Sequence, residues 1–60
     1  MEREHTVQVW NQPQQITVYQ KSKSVWIAVG TYMGERVDVK GRTESQAIGS
    51  WREAARYRGG

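Results

Sequence analysis

The residue types that carry most enzyme chemistry are scarce in this chain. It has no cysteine, and His5 is its only histidine. A catalytic nucleophile needs a base beside it, and structural zinc sites normally have four Cys or His ligands. The sequence also contains neither paired carboxylates suited to acid–base catalysis nor a Gly-rich phosphate loop. We therefore expect no enzyme, no metal site and no cofactor.

Aromatic and basic side chains are the remaining candidates for function. Aromatic faces stack nucleobases, and Lys or Arg neutralise phosphates. The formal net charge is +3, and residues 21–42 hold five basic residues against two acidic ones. An anion should therefore meet this region first. The candidate nucleic-acid or partner-binding residues are Tyr19, Lys21, Lys23, Trp26, Tyr32, Arg36, Lys40 and Arg42.

The last third of the chain has the spacing of an amphipathic helix that starts at Thr43. Its apolar positions are Ala47, Ile48, Trp51, Ala54 and Ala55. Thr43 and Gln46 have the capping-box spacing that marks a helix start, and Trp51 is expected at the centre of the core. Gly49 costs roughly 1 kcal/mol in mid-helix, and we expect it to let a strand approach closely.

Three segments before this helix alternate with the period of a half-buried strand. Their apolar phases are Ile16 and Val18; Val25, Ile27 and Val29; and Val37 and Val39. Residues 5–10 also alternate, before Pro13 and its polar neighbours interrupt the pattern. This opening segment is either a fourth strand or an arm whose Trp10 covers Trp26. We expect an α+β domain, a three-stranded antiparallel sheet packed on one C-terminal helix (β-β-β-α), in residues 15–60, with residues 1–14 as arm or extra strand.

The register follows from requiring every apolar phase to point to one face. A two-residue Met33–Gly34 turn pairs Val29 with Asp38 and places a carboxylate on the core face, so it is rejected. A three-residue loop over residues 32–34 and a four-residue loop over residues 21–24 satisfy the pattern. Ile27 then lies beside Val18. The outer face of this sheet carries the row Tyr19, Trp26 and Lys40.

Residues 25–57 resemble three β-β-β-α families. The resemblance covers about half of the chain and rests on Trp26, the Gly34 hairpin, the segment Val37-Asp38-Val39-Lys40-Gly41-Arg42-Thr43, and Ala47. The families are the second half of double-stranded-RNA-binding domains, the HicB antitoxin N-terminal domain and the arm-binding domain of phage integrases. The integrase resemblance implies strands that enter a DNA major groove, with Trp26, Arg36 and Lys40 suitably placed. The HicB resemblance implies a toxin-binding or oligomerising surface.

Two functions remain in competition. The first is nucleic-acid binding by the outer sheet face, with double-stranded DNA preferred. The second is a protein-interaction or homodimerisation module that buries Tyr19, Trp26 and Tyr32 against another chain. The charged first residues do not resemble a signal peptide, and no run of about 20 apolar residues occurs. We therefore expect a cytoplasmic protein with neither a membrane nor a small-molecule substrate as partner.

Overall fold

The computed structural model describes residues 2–59, which form a four-stranded sheet and one helix. The elements are β1 Glu2–Val9, β2 Gln12–Ser22, β3 Val25–Tyr32, β4 Glu35–Gly41 and α1 Glu44–Gly59. All neighbouring strands are antiparallel, in the order β1-β2-β3-β4. The predicted α+β class with a C-terminal helix is confirmed. The sheet has four strands instead of three, because the opening segment pairs along β2 as the strand alternative expected.

Two tight turns join the outer strand pairs. Trp10 and Asn11 have φ angles of 52° and 63°, and Met33 and Gly34 have 52° and 80°. Positive φ at both central residues is the geometry of a type I′ hairpin turn. The two-residue Met33–Gly34 turn is therefore the one that forms, and the predicted three-residue loop is wrong. Val29 pairs with Asp38 as this turn requires.

The β2–β3 hairpin also differs from the predicted register. Ser22 pairs with Val25 and Gln20 with Trp26, so Lys21 lies in a bulge. Val18 consequently pairs with Ala28, and the predicted pairing with Ile27 is wrong. The strand β3 is thus displaced by one residue relative to both neighbours, which moves each of its side chains to the opposite face.

The packing of the core explains why Ala28 and Gly30 of β3 face the helix. Trp51 is fully buried, as predicted, and packs over Gly30. A Cβ atom on Gly30 would lie 2.9 Å from Cζ2 of Trp51 and 2.7 Å from Cγ2 of Ile16. The helix therefore needs small residues beneath it, and Ala28 and Gly30 provide them. The buried core cluster consists of Val7, Val9, Ile16, Val18, Ala28, Tyr32, Val37, Ala47, Trp51 and Ala55.

Thr43 caps the start of α1 as the sequence predicts, whereas the Gln46 side chain bonds the residue before the cap. The backbone N–H of Gln46 donates to Oγ1 of Thr43 (3.1 Å), and Oε1 of Gln46 accepts from the backbone N–H of Arg42 (2.8 Å). On the neighbouring side, Oε2 of Glu44 lies 3.6 Å from both Nη1 of Arg3 and Nε2 of His5. These contacts join β1 to the first turn of the helix. Within residues 2–59, no helix has the length and hydropathy needed to cross a membrane.

The close approach expected at Gly49 occurs at another glycine. Beyond its chain neighbours and the backbone of the helix itself, no described atom lies within 4 Å of a Cβ atom placed on Gly49. A Cβ atom on Gly41, in contrast, would contact the backbone nitrogen of Ala47 and lie 2.8 Å from its Cα. The helix therefore turns back onto the end of β4 at Gly41, and the predicted packing role of Gly49 is wrong.

Replacing Gly49 with alanine should stabilise the domain. Alanine restricts the unfolded chain and favours the helix by roughly 1 kcal/mol, and its methyl group meets open space. For a domain of this size, we expect the melting temperature to rise by about 4–8 °C in a circular-dichroism melt. Gly41→Ala is the matched control and should lower it, because the added methyl group meets the backbone of Ala47. A loss of stability in Gly49→Ala would contradict its open surroundings.

Candidate nucleic-acid interface

The outer face of the sheet, opposite the helix, has a different central residue from the one predicted. The central row runs Tyr19, Ile27, Lys40, since β3 presents Ile27 where Trp26 was expected. Ile27 is only 7% exposed, yet it lies outside the core cluster. A shallow groove of about 220 Å³ is lined by Tyr19, Lys21, Ile27, Asp38, Val39 and Lys40. The predicted mixture of aromatic and basic groups is therefore kept, with one aromatic ring fewer.

Charges of both signs lie on this face. Glu2 pairs with Tyr19 and extends the central row at the β1 edge, while Lys40 ends the row at the β4 edge. In the next row, Glu4 and Asp38 occupy the two edges. Carboxylates at both edges oppose the close approach of a polyanion to the whole sheet. The charges therefore favour an anion at one end of the outer face, and not over the whole face as expected.

Four basic residues converge at the end of the sheet where the β2–β3 turn and the helix start lie. Lys21 and Lys40 line one groove there, and Lys40 and Arg42 line a second groove of about 390 Å³ with Ser24 and Gln46. Lys23 is in the turn. We call these four residues, together with Tyr19, the basic end: Tyr19, Lys21, Lys23, Lys40 and Arg42.

Local hydrogen bonds hold the backbone of the basic end in place. Nε2 of Gln20 donates to the carbonyl oxygen of Lys23 (3.3 Å), which braces the β2–β3 turn. The Gln46 side chain accepts the backbone N–H of Arg42, so the helix cap fixes the backbone at this position. The basic side chains themselves are exposed. The charges thus project into solvent from an ordered backbone, an arrangement suited to phosphate contacts.

Three of the predicted site residues lie elsewhere. Tyr32 is buried, with its ring 6.4 Å from that of Trp51 in an edge-to-face contact. Trp26 packs partly buried against the core on the helix side of the sheet. Arg36 is exposed on the outer face, but it lies beside the opposite turn with Nε 3.8 Å from Oδ2 of Asp38. The structure therefore brings together five of the eight candidates.

A second aromatic and basic surface was missed by the sequence analysis. Trp10 is 56% exposed and Tyr57 is 85% exposed, and both line an open groove of about 430 Å³ with Glu53 and Arg56. The guanidinium carbon of Arg56 lies 5.4 Å from the centre of the Trp10 ring, a cation–π contact. The available signal was Asn11 between two alternating runs, which is typical of a type I′ turn and would have placed Trp10 at its tip.

The backbone of Trp10 is itself unusual. Its φ of 52° is left-handed, a conformation that costs a bulky residue of order 1–3 kcal/mol and that Gly, Asn and Asp adopt most readily. The turn therefore keeps a strained and half-exposed indole at a position that Asn or Gly would occupy with less backbone strain.

Similarity to known proteins offers no assignment for either surface. No family model matches the chain, and neither a curated protein nor a solved structure is significantly similar to it.

Proposed function

We propose that this domain binds nucleic acid through the basic end, with double-stranded DNA as the preferred form. The observation that carries the proposal is the clustering of basic residues at one end of the sheet. Lys21 and Lys40 share a groove with Tyr19, Arg42 shares a second groove with Lys40, and Lys23 lies in the adjoining turn. Phosphate contacts from Lys and Arg provide most of the affinity of proteins for DNA. Glu2 is the carboxylate that pairs with Tyr19 across β1 and β2. Because it repels phosphate, the phosphate contacts are expected at the β2–β3 turn, beyond this pair.

The end of the β2–β3 hairpin projects past its neighbours, because among the described residues β1 pairs with β2 only as far as Tyr19 and β4 pairs with β3 only as far as Trp26. A two-stranded β-ribbon fits the major groove of B-DNA. In this mode the turn enters the groove and Lys23 contacts phosphate at its wall. Lys21, Lys40 and Arg42 contact the flanking phosphates. Tyr19 packs against sugar. Phosphate contacts fix the orientation of a protein on the duplex but do not read its sequence. Sequence preference would then depend on the turn residues that reach base edges.

Salt dependence gives the sharpest test of this proposal. Each phosphate contact contributes about −0.9 to the slope of log K against log salt concentration, so about four contacts give a slope near −3.6. We expect the affinity for a labelled duplex, measured by fluorescence anisotropy, to fall roughly 150-fold between about 50 and 200 mM salt. A Lys40→Gln/Arg42→Gln double variant should bind more weakly and reduce the slope by about 2.

The matched control for this test is Arg36→Gln. Arg36 is an exposed cation on the same face, but it lies beside the opposite turn. Its replacement lowers the net charge as a basic-end variant does, so it reports any unspecific effect of charge. Lys40→Gln and Arg42→Gln as single variants each remove one charge, as Arg36→Gln does. An equal loss of affinity in Arg36→Gln and in either of these two would contradict binding at the basic end. So would no binding at low salt.

A homodimer is the second candidate, favoured by the distribution of charge on the outer face. Glu2 and Lys40 lie in one row on opposite edges, with Tyr19 and Ile27 between them. If two sheets stack face to face about a two-fold axis parallel to the strands, Glu2 of one copy faces Lys40 of the other. Isologous interfaces need this kind of self-complementarity. Trp26 and Tyr32, predicted for such an interface, lie on the helix side.

Charge reversal tests the dimer. Glu2→Lys would place two cations opposite each other, and the Glu2→Lys/Lys40→Glu double variant would restore an attractive pair. We expect sedimentation velocity to give a concentration-dependent mass that the single variant lowers and the double variant restores. A monomer at all concentrations would exclude this candidate without affecting the DNA-binding proposal.

A further inference from the structure

We propose that the groove formed by Trp10, Arg56 and Tyr57 is a binding site for an unpaired nucleobase and its flanking phosphate, as presented by single-stranded nucleic acid. This groove lies between the β1–β2 turn and the last turns of α1. It shares no residue with the basic end, so the proposal stands independently of the proposed function.

The aromatic lining of the groove suits a flat ligand. Trp10 and Tyr57 are two of the exposed large apolar side chains, and they lie together around about 430 Å³ of open space. Aromatic side chains stack on any nucleobase, because every base has a π-face. In a duplex those faces are already stacked on one another, so an unpaired base is the better fit.

Two arginines, Arg52 and Arg56, are placed to bind the phosphate beside a stacked base. The Arg56 guanidinium is held over the Trp10 ring, which orients its N–H groups without using them up in the ring contact. Among the residues described around the groove, Glu53 is its acidic neighbour, with Oε1 3.8 Å from Nη1 of Arg56. Arg52 lines the adjoining groove on the other side of Trp10, with Gln8 and Asn11. Cations therefore flank the indole on the helix side, where a phosphate next to a stacked base would lie.

The backbone at Trp10 is an independent observation in favour of a site. The turn keeps a bulky residue at a φ of 52°, although Asn or Gly would relieve the strain. The packing of the ring against Arg56 is set against this strain, while more than half of the Trp10 surface stays exposed to a ligand. Strained residues of this kind concentrate at binding sites. The turn holds the ring at the tip of the β1–β2 hairpin, beside Arg56.

This strain allows the ring to be removed with a limited loss of stability. Trp10→Asn removes the ring and its contact with Arg56, but it places a residue that tolerates the left-handed conformation, so the domain should remain folded by circular dichroism. Affinity for labelled oligo(dT) and oligo(U) of about ten nucleotides should nevertheless fall at least about fivefold, and Tyr57→Ala should have a similar effect. Comparing the two oligomers separates DNA from RNA as the source of the base.

Met33→Asn is the matched control. Met33 is 76% exposed and has the same φ of 52° in the other type I′ turn. Its replacement makes the same change of conformational strain and should leave the affinity for both oligomers unchanged. Equal affinity in the wild type, Trp10→Asn and Tyr57→Ala would overturn the proposal, as would no binding by the wild type at low salt. Loss of a homodimer in Trp10→Asn without oligomer binding would also overturn it, in favour of a second copy of the chain.

Discussion

Replacing Trp51 with alanine is expected to unfold the domain. The side chain is fully buried at the centre of the core, and truncation of a buried Trp costs about 3–5 kcal/mol. A chain of about 60 residues buries only about 60% of its unfolded surface, so its stability is correspondingly marginal. The loss should therefore consume most or all of the folding free energy. Far-UV circular dichroism and a two-dimensional NMR spectrum at 25 °C would show whether structure remains.

A Trp51→Phe variant separates the two contributions of this residue. Phenylalanine keeps an aromatic ring near Tyr32, whereas it lacks the indole N–H that donates to the carbonyl oxygen of Val37 (3.0 Å). Val37 is in an edge strand, so part of its backbone has no neighbouring strand to pair with. We expect Trp51→Phe to remain folded with reduced stability, since a buried hydrogen bond contributes about 0.5–1.5 kcal/mol. A stable and fully folded Trp51→Ala protein would show that the helix packs in another way.

The helix could be predicted because its signals are local. Thr43 and Gln46 are three residues apart, and their hydrogen bonds depend on nothing outside the first turn. The apolar stripe centred on Trp51 needs only the helical period to be recognised. The strands were recognisable for the same reason, since alternation is visible within each segment.

The register of β3 could not be predicted, because it depends on contacts distant in sequence. Both faces of this strand carry plausible core residues: Ile27 and Val29 on one, Ala28 and Tyr32 on the other. Alternation alone turns the bulkier aliphatic residues inward, but it contains no information about the volume that Trp51 occupies above Gly30. Neither the bulge at Lys21 nor this packing has a local signal in the sequence.

This displacement also decides which site residues were placed correctly. Tyr19 lies on β2 and Lys40 on β4, two strands whose outward faces agree with the prediction, so both lie in the central outer row as expected. Trp26 and Tyr32 lie on β3 and moved to the helix side with the rest of that strand. The Trp10 groove was missed because it joins two segments separated by most of the chain.

Replacing Gly30 with alanine is expected to destabilise the domain by about 1–3 kcal/mol, as overpacking of a close-packed core typically does. The added methyl group would meet Ile16 and Trp51 at distances that require one of them to move. In the register expected from alternation alone, Gly30 would face outward beside Arg36. Alanine there would stabilise the strand, because glycine weakens strand interiors. The sign of the change therefore distinguishes the two registers, and chemical denaturation measures it.

A double-mutant cycle identifies the contact responsible. The indole atom nearest to the added methyl group is Cζ2, which belongs to the six-membered ring of Trp51. The smaller side chain of phenylalanine does not reach as far. Gly30→Ala should therefore cost less in a Trp51→Phe background than in the wild type, giving the non-additivity expected of residues in contact. Thr31→Ala, one residue along on the exposed face, should be additive with Trp51→Phe. Additive behaviour of the Gly30 pair, together with a stabilising Gly30→Ala, would place Gly30 on the outer face and remove the packing basis for the register of β3.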